Sequence, residues 1–265
     1  YFLRNFMKTF MNLPNFEEAK VAILPVPFES TTSYKKGTKN APKEIIKASN
    51  ELYLYDPELN IEPYKIGITT LKEIKTLKQL ENLKTNKFVI ALGGEHTITY
   101  PLVKKLPQKD LSILQIDAHA DLKDEFDGNK LSHACVARRI SEFNKNITQV
   151  GVRALDKDEH NYIKKHKINT FYAHNKLNIK KIIKTLKKNV YITIDLDAFD
   201  PTVIPDVGTP EPAGLQFKQV TDLLKEVFKH RNVLGADVVE LCPKEELSSY
   251  TAAKLVYKLI GYKSI

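Results

Sequence analysis

The 265-residue chain has no apolar run of about 18 residues, so nothing in it reads as a membrane-spanning helix. Its first residues, Tyr1-Phe2-Leu3-Arg4-Asn5-Phe6-Met7, contain neither an initiator methionine nor a small-residue cleavage site. Residues 1–10 therefore read as a trimmed or added leader rather than a signal peptide, with one domain over 11–265. Cysteine is scarce: Cys135 and Cys242 stand far apart and read as two buried thiols, not a disulfide. Composition breaks, internal repeats and low-complexity segments are also missing. The net charge of +9 comes largely from lysines on helical segments, such as Lys72, Lys75 and Lys78, or Lys180, Lys181, Lys184, Lys187 and Lys188. These segments lack interleaved aromatics and Gly-rich turns, so the charge reads as a solvated surface and not as a nucleic-acid site.

What the chain does have is alternation. Short β-branched or apolar runs at 21–24, 65–68, 88–92, 111–116, 147–152, 170–172, 190–194 and 233–239 predict strands. Amphipathic stretches near 42–52, 71–85, 97–106, 132–144, 156–166, 178–188, 216–230 and 248–262 predict helices between them. This β-α order implies an α/β fold: a single-domain, three-layer α/β/α arrangement around an eight-stranded, mainly parallel sheet. In such folds ligands bind beyond the carboxyl ends of the strands. Two long loops, 118–131 and 198–214, leave that edge.

Potential metal ligands follow directly on three of the apolar runs. Asp117, His119 and Asp121 are spaced i, i+2, i+4, which in an extended segment places them on one face. His96 follows Gly93-Gly94-Glu95, and Asp195 and Asp197 end another run. An isolated Asp-x-Asp also suits Asx turns and helix N-caps, and Asp200 before Pro201 reads as a turn residue. Taken together, four Asp and two His on three strand ends would repel or stay unpaired without cations. A donor set without cysteine fits a hard or borderline divalent ion, Mn²⁺ best. Two such ions lower the pKa of a shared water from about 15.7 toward roughly 7, which points to a metal-dependent hydrolase.

The ordered blocks Gly93-Gly94-Glu95-His96, Asp117-Ala118-His119-Ala120-Asp121, Ser132-His133-Ala134, Asp195-Leu196-Asp197-Ala198-Phe199-Asp200-Pro201 and Gly208-Thr209-Pro210-Glu211-Pro212 resemble the ureohydrolase family, the arginase and agmatinase group. The likeness runs from about residue 20 to the C-terminus and implies an arginase-like fold with two Mn²⁺ per subunit. It implies that His96, Asp117, Asp121 and Asp195 hold one ion, and that Asp117, His119, Asp195 and Asp197 hold the other. It also implies that Asp121 takes the proton of the attacking hydroxide, that Glu240 pairs with the guanidinium and that His133 is a mobile acid/base. Thr209 and Glu211 would then lie in the loop over the site. His160, His166, His174 and His230 match no block and read as surface residues.

Within that resemblance, Lys123 stands where arginases place an Asn for the amino-acid head group, and of two acidic positions after the Gly-Leu-Arg strand end Asp156 keeps one while Ala154 loses the other. The acidic segment Asp121-Leu122-Lys123-Asp124-Glu125-Phe126-Asp127 is similar to the agmatinase loop and makes Asp124 a candidate substrate contact. The segment Gly37-Thr38-Lys39-Asn40-Ala41-Pro42 departs from the bulkier family pattern. The expected substrate is a small cationic guanidine. Agmatine, cleaved to putrescine and urea, comes first, with aminopropylagmatine, guanidinobutyrate or arginine as alternatives. More distant readings are a zinc deacylase of the same fold and a non-enzymatic polyamine-binding protein. The resemblance further implies a cytoplasmic homo-oligomer, a trimer or hexamer, with no nucleic-acid or membrane partner.

Overall fold

The computed structural model describes residues 9–265. Eight strands form one sheet: β1 (Val21–Val26), β2 (Ile68–Thr70), β3 (Phe88–Gly93), β4 (Leu111–Ile116), β5 (Ile147–Val152), β6 (Asn169–Tyr172), β7 (Asn189–Asp195) and β8 (Asn232–Val239). Their order is β2-β1-β3-β8-β7-β4-β5-β6, and every neighbouring pair is parallel. β1, β4 and β5 are buried at every position, as expected of near-continuous apolar runs covered on both faces. The helices are α1 (Ala41–Ala48), α2 (Leu77–Glu81), α3 (Thr99–Lys104), α4 (Val136–Phe143), α5 (Lys157–His166), α6 (Ile179–Thr185), α7 (Phe217–His230) and α8 (Glu246–Ser264).

The core divides into two clusters. One gathers Ile45, Ile182, Leu223 and Val256 from α1, α6, α7 and α8. The other gathers Leu80, Leu102, Ile140 and Ile163 from α2, α3, α4 and α5. The layering is therefore α/β/α. No helix among the described residues is long and apolar enough to cross a membrane.

Two expected elements shift. The strand expected at 65–68 begins only at Ile68. Pro63 opens a 3₁₀ turn over Pro63–Ile66, and Gly67 (φ +83°) closes it. The helix expected at 71–85 shrinks to α2, which starts at Thr76, whose side chain accepts from the Gln79 N–H. Leu71 and Ile74, spaced like one helix face, instead donate their N–H groups to the Ile23 and Pro25 carbonyls of β1 at 2.9 and 3.0 Å. Residues 1–8 of the expected leader lie outside the described residues. Phe10, its last position, is fully buried in the core and donates its N–H to Thr70 Oγ1 at 2.9 Å, so Phe10 is part of the fold.

The sheet order decides where the chemistry collects. β3, β8, β7 and β4 are consecutive in the sheet, and His96, Glu240, Asp195 with Asp197, and Asp117 follow their carboxyl ends. Outside this site, α8 carries a buried cation, Lys258, whose Nζ lies 2.7 Å from Asp56 Oδ2 and 2.7 Å from Glu58 Oε2. Asp56 is fully buried and also caps its own turn by accepting from the Glu58 and Leu59 N–H groups. Removing one member of such a pair leaves a buried charge uncompensated. Lys258→Ala is therefore expected to lower unfolding free energy by about 3–5 kcal/mol, as read from the urea midpoint. An unchanged midpoint would contradict this role.

Candidate metal centre

The segment after β4 builds most of the site. The Asp117 N–H donates to Val150 of β5 at 3.0 Å, and Arg153 and Ala154 donate to the Ala118 carbonyl, so the chain runs on beside β5 past the strand end. Asp121 then takes a left-handed backbone (φ +51°), a conformation Asp tolerates better than most residues. That turn breaks the simple alternation and brings Asp121 Oδ2 to 2.9 Å from His96 Nδ1.

Two groups of donors result, His96 with Asp117 and Asp195, and Asp117 with His119 and Asp197. Asp117 is fully buried and divides itself between them. Its Oδ2 lies 3.3 Å from His96 Nδ1, and its Oδ1 lies 3.8 Å from His119 Nδ1. His96 Nδ1 also lies 3.4 Å from Asp195 Oδ2, and His119 Nδ1 lies 2.9 Å from Asp197 Oδ2. Backbone and amide donors fix the carboxylates from behind. Gln115 Nε2 donates to Asp117 Oδ2 at 2.7 Å, the His119 N–H to Asp117 Oδ1 at 2.6 Å, and the Ala118 N–H to Asp197 Oδ1 at 3.1 Å.

His96 supplies the test of whether these residues fit a metal ion. Its Nδ1 is buried and has no hydrogen-bond partner, although three carboxylates surround it. Its Nε2 lies 2.8 Å from Thr193 Oγ1. Thr193 has already given its only proton to Asp237 Oδ1 at 2.6 Å, so its oxygen accepts and Nε2 carries the hydrogen. Asp237, buried in β8, also receives the Thr99 and Tyr191 hydroxyls at 2.9 and 2.8 Å. The network thus aims the Nδ1 lone pair into a ring of anions. That arrangement is repulsive unless a cation fills it, and it matches the outer-shell ordering of metal-bound histidines.

Protonation follows the same logic. Burial disfavours a charged His119, but the Asp197, Asp117 and Asp121 carboxylates outweigh it and lift its pKa to about 11. Burial likewise opposes charge on His96, yet Asp117, Asp121 and Asp195 raise it well above the usual imidazole range. Burial and the neighbouring Asp117 push the Asp121 carboxyl up to about 7. Without cations the cluster holds protons in their place.

The remaining expected residues are spread around this cluster. A cavity of about 260 Å³ is lined by His96, His119, Asp121, Asp195, Asp197, Glu240, His133 and Thr209. Glu240 is buried with a left-handed backbone (φ +66°), and its Oε1 accepts from the His96 N–H at 2.6 Å. Burial raises the Glu240 pKa to about 8. Thr209 Oγ1 donates to Asp197 Oδ2 at 3.3 Å. Glu211 and Asp124 do not line the cavity. The Glu211 carbonyl binds Arg153, and exposed Asp124 pairs with Arg139 and Arg138 at 2.8 and 3.3 Å. Asp200 holds a turn, accepting from Thr202 and from the Gly214 N–H. Cys135 and Cys242 are buried free thiols.

A profile of the Arginase family matches residues 19–261. The chain belongs to the arginase family. It is 38% identical to an N(1)-aminopropylagmatine ureohydrolase of Thermus thermophilus, over 94% of this chain and 92% of that one. It is 35% identical to the agmatinase of Pyrococcus horikoshii, over 95% of each. Among solved structures, the agmatine ureohydrolase of Thermoplasma volcanium superposes with a TM-score of 0.88 at 31% identity, over 98% of this chain and 95% of that one. An arginase from Medicago truncatula gives 0.75 at 27% identity, over 92% and 87%. The enzyme is thus an agmatinase-like ureohydrolase on the arginase fold.

In this arginase-family enzyme several supporting residues escape a reading of the sequence. Thr193, Tyr191 and Asp237 sit inside strands and pass as ordinary core positions. Arg153 donates to the carbonyls of Gly151, Asp197, Ala198, Phe199, Glu211 and Pro212 at 2.7–3.3 Å, stapling the loop after β7 to β5. The available signal was an arginine at a strand end facing a Pro-rich loop. Because the raised His96 and His119 values mean that a metal ion must displace protons, Mn²⁺ binding near neutral pH is expected to release protons and to strengthen as pH rises. Calorimetry in buffers of different ionisation enthalpy measures this, and binding without proton release would contradict it.

Proposed function

We propose that this enzyme holds two Mn²⁺ ions per subunit and hydrolyses a carboxylate-free guanidine with a cationic tail, N(1)-aminopropylagmatine ahead of agmatine. The overall reaction adds water to the guanidinium carbon, breaks its bond to the alkyl nitrogen and yields urea and an alkylammonium, both water protons ending on the leaving nitrogen. When bound, the metal pair supplies a water nucleophile at neutral pH by lowering its pKa. His96, Asp117, Asp121 and Asp195 would hold one ion and Asp117, His119, Asp195 and Asp197 the other.

The chain's own groups would do the rest. Glu240, which lines the cavity and has no salt-bridge partner among the described residues, suits the planar guanidinium as a bidentate acceptor. Asp121 would accept a proton from the nucleophile, and His133 would pass one to the leaving nitrogen. Thr209 would steady Asp197 at the rim.

The observation that carries the choice of tail is the acidic mouth. Phe126 and Leu155 offer apolar sides to an alkyl chain, and Asp156, paired with Lys123, lines the same cavity with Glu159, whose oxygens accept the Leu122 and Asp156 N–H groups. Lys123 Nζ bonds Asp156 and lies 5.5 Å from the Phe126 ring centroid. A tail ammonium would share Asp156 with Lys123. The exposed Glu125 and Asp127 that flank Phe126 would meet a second ammonium, which aminopropylagmatine has and agmatine lacks. The relatives named N(1)-aminopropylagmatine ureohydrolase at 38% and, from Synechocystis, at 34% identity support the longer tail. Agmatine stays the second reading on the strength of the agmatinase at 35%. The exposed Tyr53, Leu54 and Tyr55 support the further reading that the enzyme is a homo-oligomer, a trimer or hexamer.

Urea release with Mn²⁺ tests the reading. The expected order of kcat/KM is aminopropylagmatine, agmatine, then guanidinobutyrate and arginine. Lys123→Ala, which frees Asp156, is expected to raise kcat/KM for the two cationic guanidines by roughly 2- to 5-fold, the worth of a surface pair, and to lower it for guanidinobutyrate. A preference for arginine or guanidinobutyrate would sink the substrate assignment.

A further inference from the structure

Glu95 is fully buried, precedes the candidate metal ligand His96 and has no cationic partner among the described residues, yet its carboxylate is completely engaged. Oε2 accepts the Ser30 and Thr31 N–H groups at 2.5 and 2.7 Å, and Oε1 accepts the Thr31 and Thr97 hydroxyls at 2.8 and 2.6 Å. These bonds tie the loop after β1 to the end of β3, and Thr31 is the point at which that loop reaches His133.

The proton count around Thr31 closes. A threonine hydroxyl has one proton and two lone pairs. The carboxylate of Glu95 can only accept, so Thr31 gives its proton there. The His133 backbone N–H then donates to Thr31 Oγ1 at 3.0 Å. His133 Nδ1 lies 3.2 Å from the same oxygen, whose proton is already used, so Nδ1 must be the donor. Ser132 Oγ at 3.3 Å offers that N–H a second acceptor. The neutral imidazole is thereby left with its hydrogen on Nδ1 and its lone pair on Nε2, which lies 3.4 Å from Ser33 Oγ on the cavity wall. The Phe126 ring, edge-to-face at 5.6 Å, holds the imidazole plane.

We infer that Glu95, acting through Thr31, is a positioning residue that fixes His133 in the Nδ1–H form and keeps Nε2 open to the leaving nitrogen. This rests on the reading of His133 as the acid/base. Neutral His133 takes at Nε2 the proton that Asp121 receives from the nucleophile, and the resulting imidazolium gives it to the departing amine and returns to the Nδ1–H form, so neither transfer needs a rearrangement behind the ring. In the reverse tautomer the Nδ1 lone pair would face the lone pairs of Thr31 and would have only the longer Ser132 hydroxyl contact at 3.3 Å to satisfy it, and Nε2 would have no proton-accepting capacity toward the cavity. Burial lowers the His133 pKa, against a smaller opposing effect of Glu95, so the neutral form is the one that must be held.

The test compares parent, Thr31→Val and Thr31→Ser as full-length proteins. ¹⁵N-histidine spectra of the Zn²⁺-loaded, diamagnetic form report the tautomer, and urea release by the Mn²⁺ form reports kcat and KM. The parent and Thr31→Ser are expected to show Nδ1–H at His133, with Thr31→Val moving to Nε2–H and losing roughly 10- to 100-fold in kcat at little cost in KM. A parent that carries its hydrogen on Nε2 overturns the inference even if Thr31→Val does not fold, and so does an unmoved tautomer in Thr31→Val. A tautomer that moves while kcat stays the same leaves the relay standing and overturns His133 as the acid/base.

Discussion

Four aspartates, Asp117, Asp121, Asp195 and Asp197, converge with two imidazoles in a space where three of the carboxylates are less than 5% exposed and the fourth is 7% exposed. Bringing that many anions together away from water is unfavourable unless cations of equal charge join them. Two divalent ions balance four carboxylates, and the imidazoles can then be neutral donors. Glu240 lines the same cavity and has no salt-bridge partner among the described residues, which suits a guanidinium; Asp156 and Glu159 also line it but are engaged by Lys123 and by backbone N–H groups.

The rest of the molecule makes that convergence possible. A parallel sheet sends all its strands out at one edge, and the order β3-β8-β7-β4 makes neighbours of the three strands that lead to candidate metal ligands and the strand that leads to Glu240. Support comes in layers behind them. Gln115 and backbone N–H groups hold the carboxylates, Asp237 and Thr193 hold His96, and Arg153 pins the loop after β7. Two histidines are set by one device, a buried carboxylate that consumes the proton of a threonine and so turns that hydroxyl into an acceptor. For His96 the device leaves the lone pair for a metal ion; for His133 it leaves the lone pair for the substrate.

The candidate donors that the structure brings together stood out in the sequence because they cluster where apolar runs end, and a charged residue there has few structural excuses. The fold class was legible for the same reason, as buried parallel strands leave continuous apolar runs. The supporting residues were not. Thr193 and Asp237 lie in the interior of β7 and β8, and Thr31 lies in a loop 102 positions before His133. Their meaning comes from neighbours that only the strand order brings together. β2 and α2 failed locally: Leu71 and Ile74 carry helical spacing but pair with β1 carbonyls, an arrangement that depends on a distant strand. Asp124 looked like a substrate contact because it sits in an acidic loop, yet two arginines from α4 claim it.

The central claim is that Asp117, shared by both groups of candidate donors, would serve both metal positions. Metal content by inductively coupled plasma mass spectrometry, on parent, His119→Asn and Asp117→Asn proteins prepared with Mn²⁺, tests it most directly. The account predicts two ions per chain in the parent, one retained in His119→Asn and loss at both positions in Asp117→Asn. An Asp117→Asn protein that keeps as much metal as His119→Asn would contradict it.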